Sequence, residues 1–111
     1  MRAMIDAMTA AIQAEAPPVE DVVCEDVYAA GIDGDPDARC RVYRPEGTDA
    51  PLPALLWMHG GGFVLGSIEF DDLMAAQFAK DTGTAIVSVE YRLAPEHPFP
   101  AAVNDCYAVL R

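Results

Sequence analysis

Two short apolar runs, Ala54-Leu55-Leu56-Trp57-Met58 and Ala85-Ile86-Val87-Ser88-Val89, constrain the fold of this chain more than any other feature. Strands that are apolar on both faces belong where helices cover both sides of a parallel sheet. Between the runs, Phe70, Leu73, Met74 and Phe78 recur at helical spacing, and Gly83 stands where such a helix would stop. Strand, helix, strand in that order is a βαβ unit, whose crossover is expected to be right-handed.

Upstream, Met4, Ile5, Met8 and Ile12 predict an amphipathic helix over 1–16, stopped by Pro17-Pro18. Its stripe packs on something else in the fold; with one arginine it is not a basic membrane helix. Two strands are expected next, Val22–Ala29 and Arg39–Arg44, with Cys40 and Val42 alternating against Arg39, Arg41 and Tyr43. The turn-rich Gly31–Pro36 segment between them makes an antiparallel hairpin, and a loop runs from Pro45 to Pro53. Pro100 opens a last helix with Val103, Cys106, Tyr107 and Leu110 on one face. That stripe is still running at Arg111 with no Gly, Asn or Pro to close it, so the chain is expected to be truncated within a helix. The expected fold class is thus α/β: an antiparallel hairpin followed by a parallel βαβ unit, incomplete.

Charge and composition exclude several functions. Of 111 residues, 18 are Asp or Glu and 7 Lys or Arg, a net charge of −11, which argues against nucleic-acid partners and anionic membrane surfaces. The 52% hydrophobic content is too high for a disordered tail, yet no apolar run is long enough to span a membrane. No export signal is visible at the start, and Cys24, Cys40 and Cys106 are an odd set without a C-x-x-C pair. They are expected to be buried free thiols in a reducing, cytoplasmic setting, and neither a metal site nor a redox motif is implied.

The segment His59-Gly60-Gly61-Gly62-Phe63 directly follows the first apolar strand, at the end of a parallel strand where ligands bind in such sheets. Successive glycines let backbone N–H groups approach a ligand, and two N–H groups aimed at one point stabilise an oxygen that becomes negative during acyl transfer. A phosphate cradle is weaker, because Leu65 stands where G-x-G-x-x-G needs its third glycine and no Gly-Lys-Ser/Thr occurs. A tight turn without chemistry is the remaining reading.

The segment resembles the H-G-G-G loop of lipases and esterases. Downstream, Val87-Ser88-Val89-Glu90-Tyr91-Arg92-Leu93-Ala94-Pro95-Glu96-His97-Pro98-Phe99-Pro100-Ala101-Ala102 resembles a stretch of the hormone-sensitive-lipase-like family of α/β-hydrolases, in that family's order. The resemblance covers roughly 20–111 and implies the N-terminal portion of an α/β-hydrolase domain over 19–111, with residues 1–18 as a helix that is part of a cap. It implies that the N–H groups of Gly61 and Gly62 line the oxyanion hole, that His59 and Gly60 support the loop, and that Phe63 borders the substrate pocket. His97 is structural in that family and not the catalytic base. Asp71 and Asp72 lie at a helix start, where carboxylates favour the dipole.

The family's G-x-S-x-G nucleophile, acid and base are not found: the serines are Ser67 and Ser88, and neither fits a nucleophile elbow. The resemblance therefore implies a serine carboxylesterase acting on small acyl esters without metal or organic cofactor, with this chain inactive alone because nucleophile, acid and base lie beyond Arg111. The alternatives are an amide or formamide hydrolase of the same fold, and a non-catalytic ligand-binding homologue. With the partner of the Ala54–Met58 strand lying beyond Arg111, that strand would expose an apolar edge, and the isolated chain is expected to be poorly soluble or molten.

Overall fold

The computed structural model describes residues 1–15, 19–47 and 51–110. The Pro17-Pro18 stop and residues 48–50 of the predicted loop lie outside the described residues. In chain order the elements are α1 (Arg2–Glu15), β1 (Val22–Ala29), β2 (Ala38–Pro45), β3 (Ala54–Met58), a 3-10 turn (Glu69–Asp71), α2 (Asp72–Thr82), β4 (Ala85–Val89) and α3 (Ala101–Leu110).

The strands form one sheet in the order β1-β2-β4-β3. β1 and β2 make the expected antiparallel hairpin, in register from Val22 opposite Pro45 to Ala29 opposite Ala38. β4 pairs antiparallel with β2 and parallel with β3, so that Met58 and Val89, the last residues of β3 and β4, lie side by side. Apolar side chains pack on both faces of the sheet. On one face α2 contributes Ala75, Ala76 and Ala79, packed with Tyr43 and Ile86 and flanked by Val22 and Trp57. On the other, Val89 and Tyr91 pack with Ala102 of α3, flanked by Leu56, Cys106 and Val109. Burial on both sides is why β3 and β4 read as continuous apolar runs.

The helices turn a different face inward from the one their large side chains suggest. In α2 the wholly or nearly buried residues are alanines, while Met74 and Phe78, and Phe70 of the preceding 3-10 turn, are exposed. In α3 Ala102, Asp105 and Ala108 are buried, whereas Val103, Tyr107 and Leu110 are exposed. Met4, Met8 and Ile12 of α1 are exposed too. Small side chains let a helix backbone approach the sheet closely, and in this chain the alanine faces make that contact. Gly83 does end α2 as expected, in the left-handed conformation (φ 65°) with its N–H donating to Ala79 O at 3.0 Å.

One further expectation is corrected and another extended. Cys40 is buried and Cys106 half-buried, but Cys24 is exposed, because it lies on β1 at the sheet's edge. Asp71 and Asp72 do more than favour a dipole: Asp71 accepts from the Trp57 indole N–H at 3.0 Å, and Asp72 from Tyr43 Oη and Arg41. These bonds tie the start of α2 to β2 and β3. β3, the other edge of the described sheet, leaves Leu55 and Met58 exposed.

Candidate active site

His59 follows β3 directly and Tyr91 stands two residues past β4, so the two motifs meet at the C-terminal ends of neighbouring parallel strands. Tyr91 Oη donates to the carbonyl oxygen of His59 at 2.5 Å, both residues being buried. Their rings stack, with centroids 4.1 Å apart and planes 12° from parallel. His59 Nδ1 lies 3.0 Å from Gly60 O, so this nitrogen carries the proton and donates to the loop. Its Nε2 is buried without a partner among the described residues.

The loop then turns through three positive φ angles: Gly61 (134°), Gly62 (63°) and Phe63 (66°). Gly61 O accepts from the N–H groups of Val64 (3.2 Å) and Leu65 (3.1 Å), which curls the backbone back on itself. The curl is so tight that a Cβ on Gly61 would lie 2.1 Å from Leu65 O. The N–H groups of Gly61 and Gly62 donate to nothing among the described residues. Unengaged donors on a fixed backbone can stabilise an oxygen that gains negative charge.

The far end of the loop is fastened by the second motif. Ala94 N–H donates to Phe63 O at 2.8 Å. Arg2 of α1 donates to Val64 O from Nε (3.1 Å) and Nη2 (2.8 Å), to Ala94 O (2.9 Å), and pairs with Glu96. The ring of Phe63 is exposed, leans on Tyr91 and borders a cavity of about 290 Å³ with Arg92, Ala94, His97, Phe99, Ala102 and Val103. His97 is exposed at this cavity's rim and makes no hydrogen bond to a serine among the described residues.

The serines sit elsewhere. Ser67 Oγ accepts from Phe70 N–H of the 3-10 turn at 3.2 Å. Ser88 is wholly buried in β4. No histidine bonds to either among the described residues, and no cluster of His, Cys, Asp and Glu able to hold a metal ion is found there. No helix among them is long and apolar enough to cross a membrane.

Three supporting residues escape a local reading of the sequence. Gly66 packs so closely on the loop that a Cβ there would lie 2.5 Å from Gly60 O and 2.6 Å from His59 Nδ1. Asp105, buried in α3, accepts from the Arg92 backbone N–H (2.8 Å) and from Arg92 Nε and Nη2 (2.9 Å each). Arg92 also reaches Asp35 in the hairpin turn. The i, i+3, i+6 series Ala102, Asp105, Ala108 was the available signal for a buried carboxylate. Glu90 accepts from Arg39 at 3.1 Å and from Ile68 N–H; burial, with Glu69 nearby, raises its pKa. It thereby joins the strand end to the chain returning from the loop.

A family model described as alpha/beta hydrolase fold matches residues 55–111. Carboxylesterase NlhH of Mycobacterium tuberculosis is 44% identical over 81 residues, covering 73% of this chain and 25% of that protein. Among solved structures, a bacterial heroin esterase superposes with a TM-score of 0.92 at 45% identity, covering 98% of this chain and 34% of that one. EstE1, a thermophilic carboxylesterase cloned from a metagenomic library, superposes at 0.85 with 40% identity, covering 98% and 36%. The chain thus spans about a quarter of the length of NlhH and about a third of the two structures.

Proposed function

Since the chain belongs to the α/β-hydrolase fold family and resembles its hormone-sensitive-lipase-like esterases, we propose that it supplies the oxyanion-hole loop of a serine carboxylic-ester hydrolase. The observation that carries this reading is the fastened loop 59–63 at the end of β3, with the Gly61 and Gly62 N–H groups unengaged among the described residues.

In the whole protein, a serine outside these residues attacks the ester carbonyl, and a histidine oriented by a carboxylate takes the serine proton. The carbonyl oxygen becomes an oxyanion and accepts hydrogen bonds from Gly61 and Gly62. The alcohol leaves with a proton from the histidine, and water releases the acid from the acyl-enzyme. His59 and Gly60 support the loop, and Phe63 borders the acyl ester's pocket. Residues 1–18 form part of the cap over it, and residues 19–111 belong to the catalytic domain. Three free thiols fit a cytoplasmic setting.

Ser67 Oγ accepts from Phe70 N–H and Ser88 is wholly buried, which supports the reading that the 111-residue chain is inactive by itself. The test compares turnover of 4-nitrophenyl butyrate by the isolated chain and by the protein expressed from its complete reading frame. Turnover by the complete protein alone supports the reading. Turnover by the isolated chain contradicts the inactivity, and an inert complete protein favours the ligand-binding alternative. A 4-nitroanilide cleaved faster than the ester favours the amidase.

A further inference from the structure

We infer that Tyr91 is a positioning residue for the oxyanion hole. The inference rests on the reading just given and adds a residue that does not touch substrate but acts through the His59 carbonyl.

The His59–Gly60 peptide is the first link of the glycine loop, and its plane sets the direction in which the following N–H groups emerge. Its carbonyl is held by the Tyr91 hydroxyl, inside a buried contact in which the phenol ring also stacks on the imidazole. The other end is held by Ala94 N–H on Phe63 O, three residues along the same segment. Residues 91–94 therefore clamp both ends of the loop, and the glycines between have no Cβ to resist rotation. Of the two fastenings, the one at Tyr91 is made by a side chain and can be removed alone. Burial raises the pKa of the phenol, so it remains an O–H donor through the neutral range.

Without the hydroxyl, the His59–Gly60 plane loses its only partner among the described residues and the Gly61 and Gly62 donors lose alignment. An oxyanion hole acts on charge that develops in the transition state, so misalignment lowers kcat and leaves KM nearly unchanged.

The test is Tyr91→Phe in the protein expressed from its complete reading frame. The expected result is a fall in kcat of roughly ten- to a hundredfold with KM within about twofold. Tyr43→Phe is the control: it deletes a part-buried phenol bond, to the Asp72 carboxylate, on the other face of the sheet. It should lower thermal stability and leave kcat unchanged. Amide NMR gives a readout independent of turnover. Tyr91→Phe should shift the Gly61 and Gly62 resonances and speed their hydrogen exchange, and Tyr43→Phe should not. A kcat that falls for Gly61→Ala and not for Tyr91→Phe overturns the positioning role alone. A kcat indifferent to Gly61→Ala overturns the oxyanion-hole reading itself. Should the protein be inert, unmoved glycine amides in Tyr91→Phe overturn the clamp.

Discussion

Alanine substituted at each glycine of the loop should give three different results, because the backbone treats the three positions differently. At Gly61 a Cβ would lie 2.1 Å from Leu65 O, and φ is 134°. Reaching even 3.0 Å, the lower limit of real Cβ contacts, requires an opening of about 0.9 Å (3.0 − 2.1). A displacement of about 1 Å at a catalytic group costs roughly a hundredfold, and outright loss of an oxyanion donor about 10²–10³. Gly61→Ala should therefore lower kcat about 100- to 1000-fold, equivalent to about 2.7–4 kcal/mol of barrier, with little change in KM. Gly62 has φ 63° but open space around a Cβ, so alanine there meets conformational strain alone. That strain is about 1–2 kcal/mol, and kcat should stay within about tenfold. Gly60 has neither a positive φ nor a neighbour within 4 Å, so Gly60→Ala should change kcat by no more than about threefold. The assay is steady-state hydrolysis of 4-nitrophenyl butyrate by the protein expressed from its complete reading frame. Equal losses at all three positions, or Gly60 as the most sensitive, would refute the reasoning.

Other parts of the structure make independent predictions. Asp105→Asn replaces a buried carboxylate that accepts three Arg92 donors, and should destabilise by about 2–3 kcal/mol in urea unfolding. The loss stays below that of a fully buried pair because Arg92 keeps Asp35; an unchanged midpoint would contradict the anchor. Hydrogen bonds from Arg41, with Arg39 beside it, hold Asp26 down at about 2, against an ordinary value of 3.8. A depressed carboxylate contributes stability above its unfolded pKa and loses it as pH falls through the folded one. The stability gap between the native protein and Asp26→Asn should therefore be full above pH 3.8 and close towards pH 2; a constant gap would refute the pairing. With Leu55 and Met58 exposed on the β3 edge, the isolated 111-residue chain should associate as concentration rises. A monodisperse monomer with a sharp thermal transition would count against this.

Strands were legible where sequence and burial carry the same signal. β1, β3 and β4 fall where the apolar patterns put them, and β2 extends one residue at either end of Arg39–Arg44. Helices existed where periodicity put them, yet their inward faces did not follow the large residues, because alanines make the close contact with the sheet in α2 and α3. The glycine loop was visible as a string, and its place after β3 followed from the strand before it. Its fastenings were not, because they join residues far apart in sequence: Tyr91 to His59, 32 residues away, and Arg2 to Ala94, 92 away. Such contacts leave no periodic trace. Asp71 and Asp72 show the same limit, since a helix-start carboxylate looks alike whether it faces solvent or receives Trp57 and Tyr43.

On the proposed function, these residues serve a serine esterase whose nucleophile is neither Ser67 nor Ser88. Covalent labelling tests it most directly. A fluorophosphonate ester reacts with an activated serine, and peptide mass spectrometry locates the adduct. In the protein expressed from its complete reading frame, one adduct is predicted on a serine outside residues 1–111, with Ser67 and Ser88 unmodified and Gly61→Ala slowing the reaction. An adduct on Ser67 or Ser88, or no adduct on the active protein, would contradict the account.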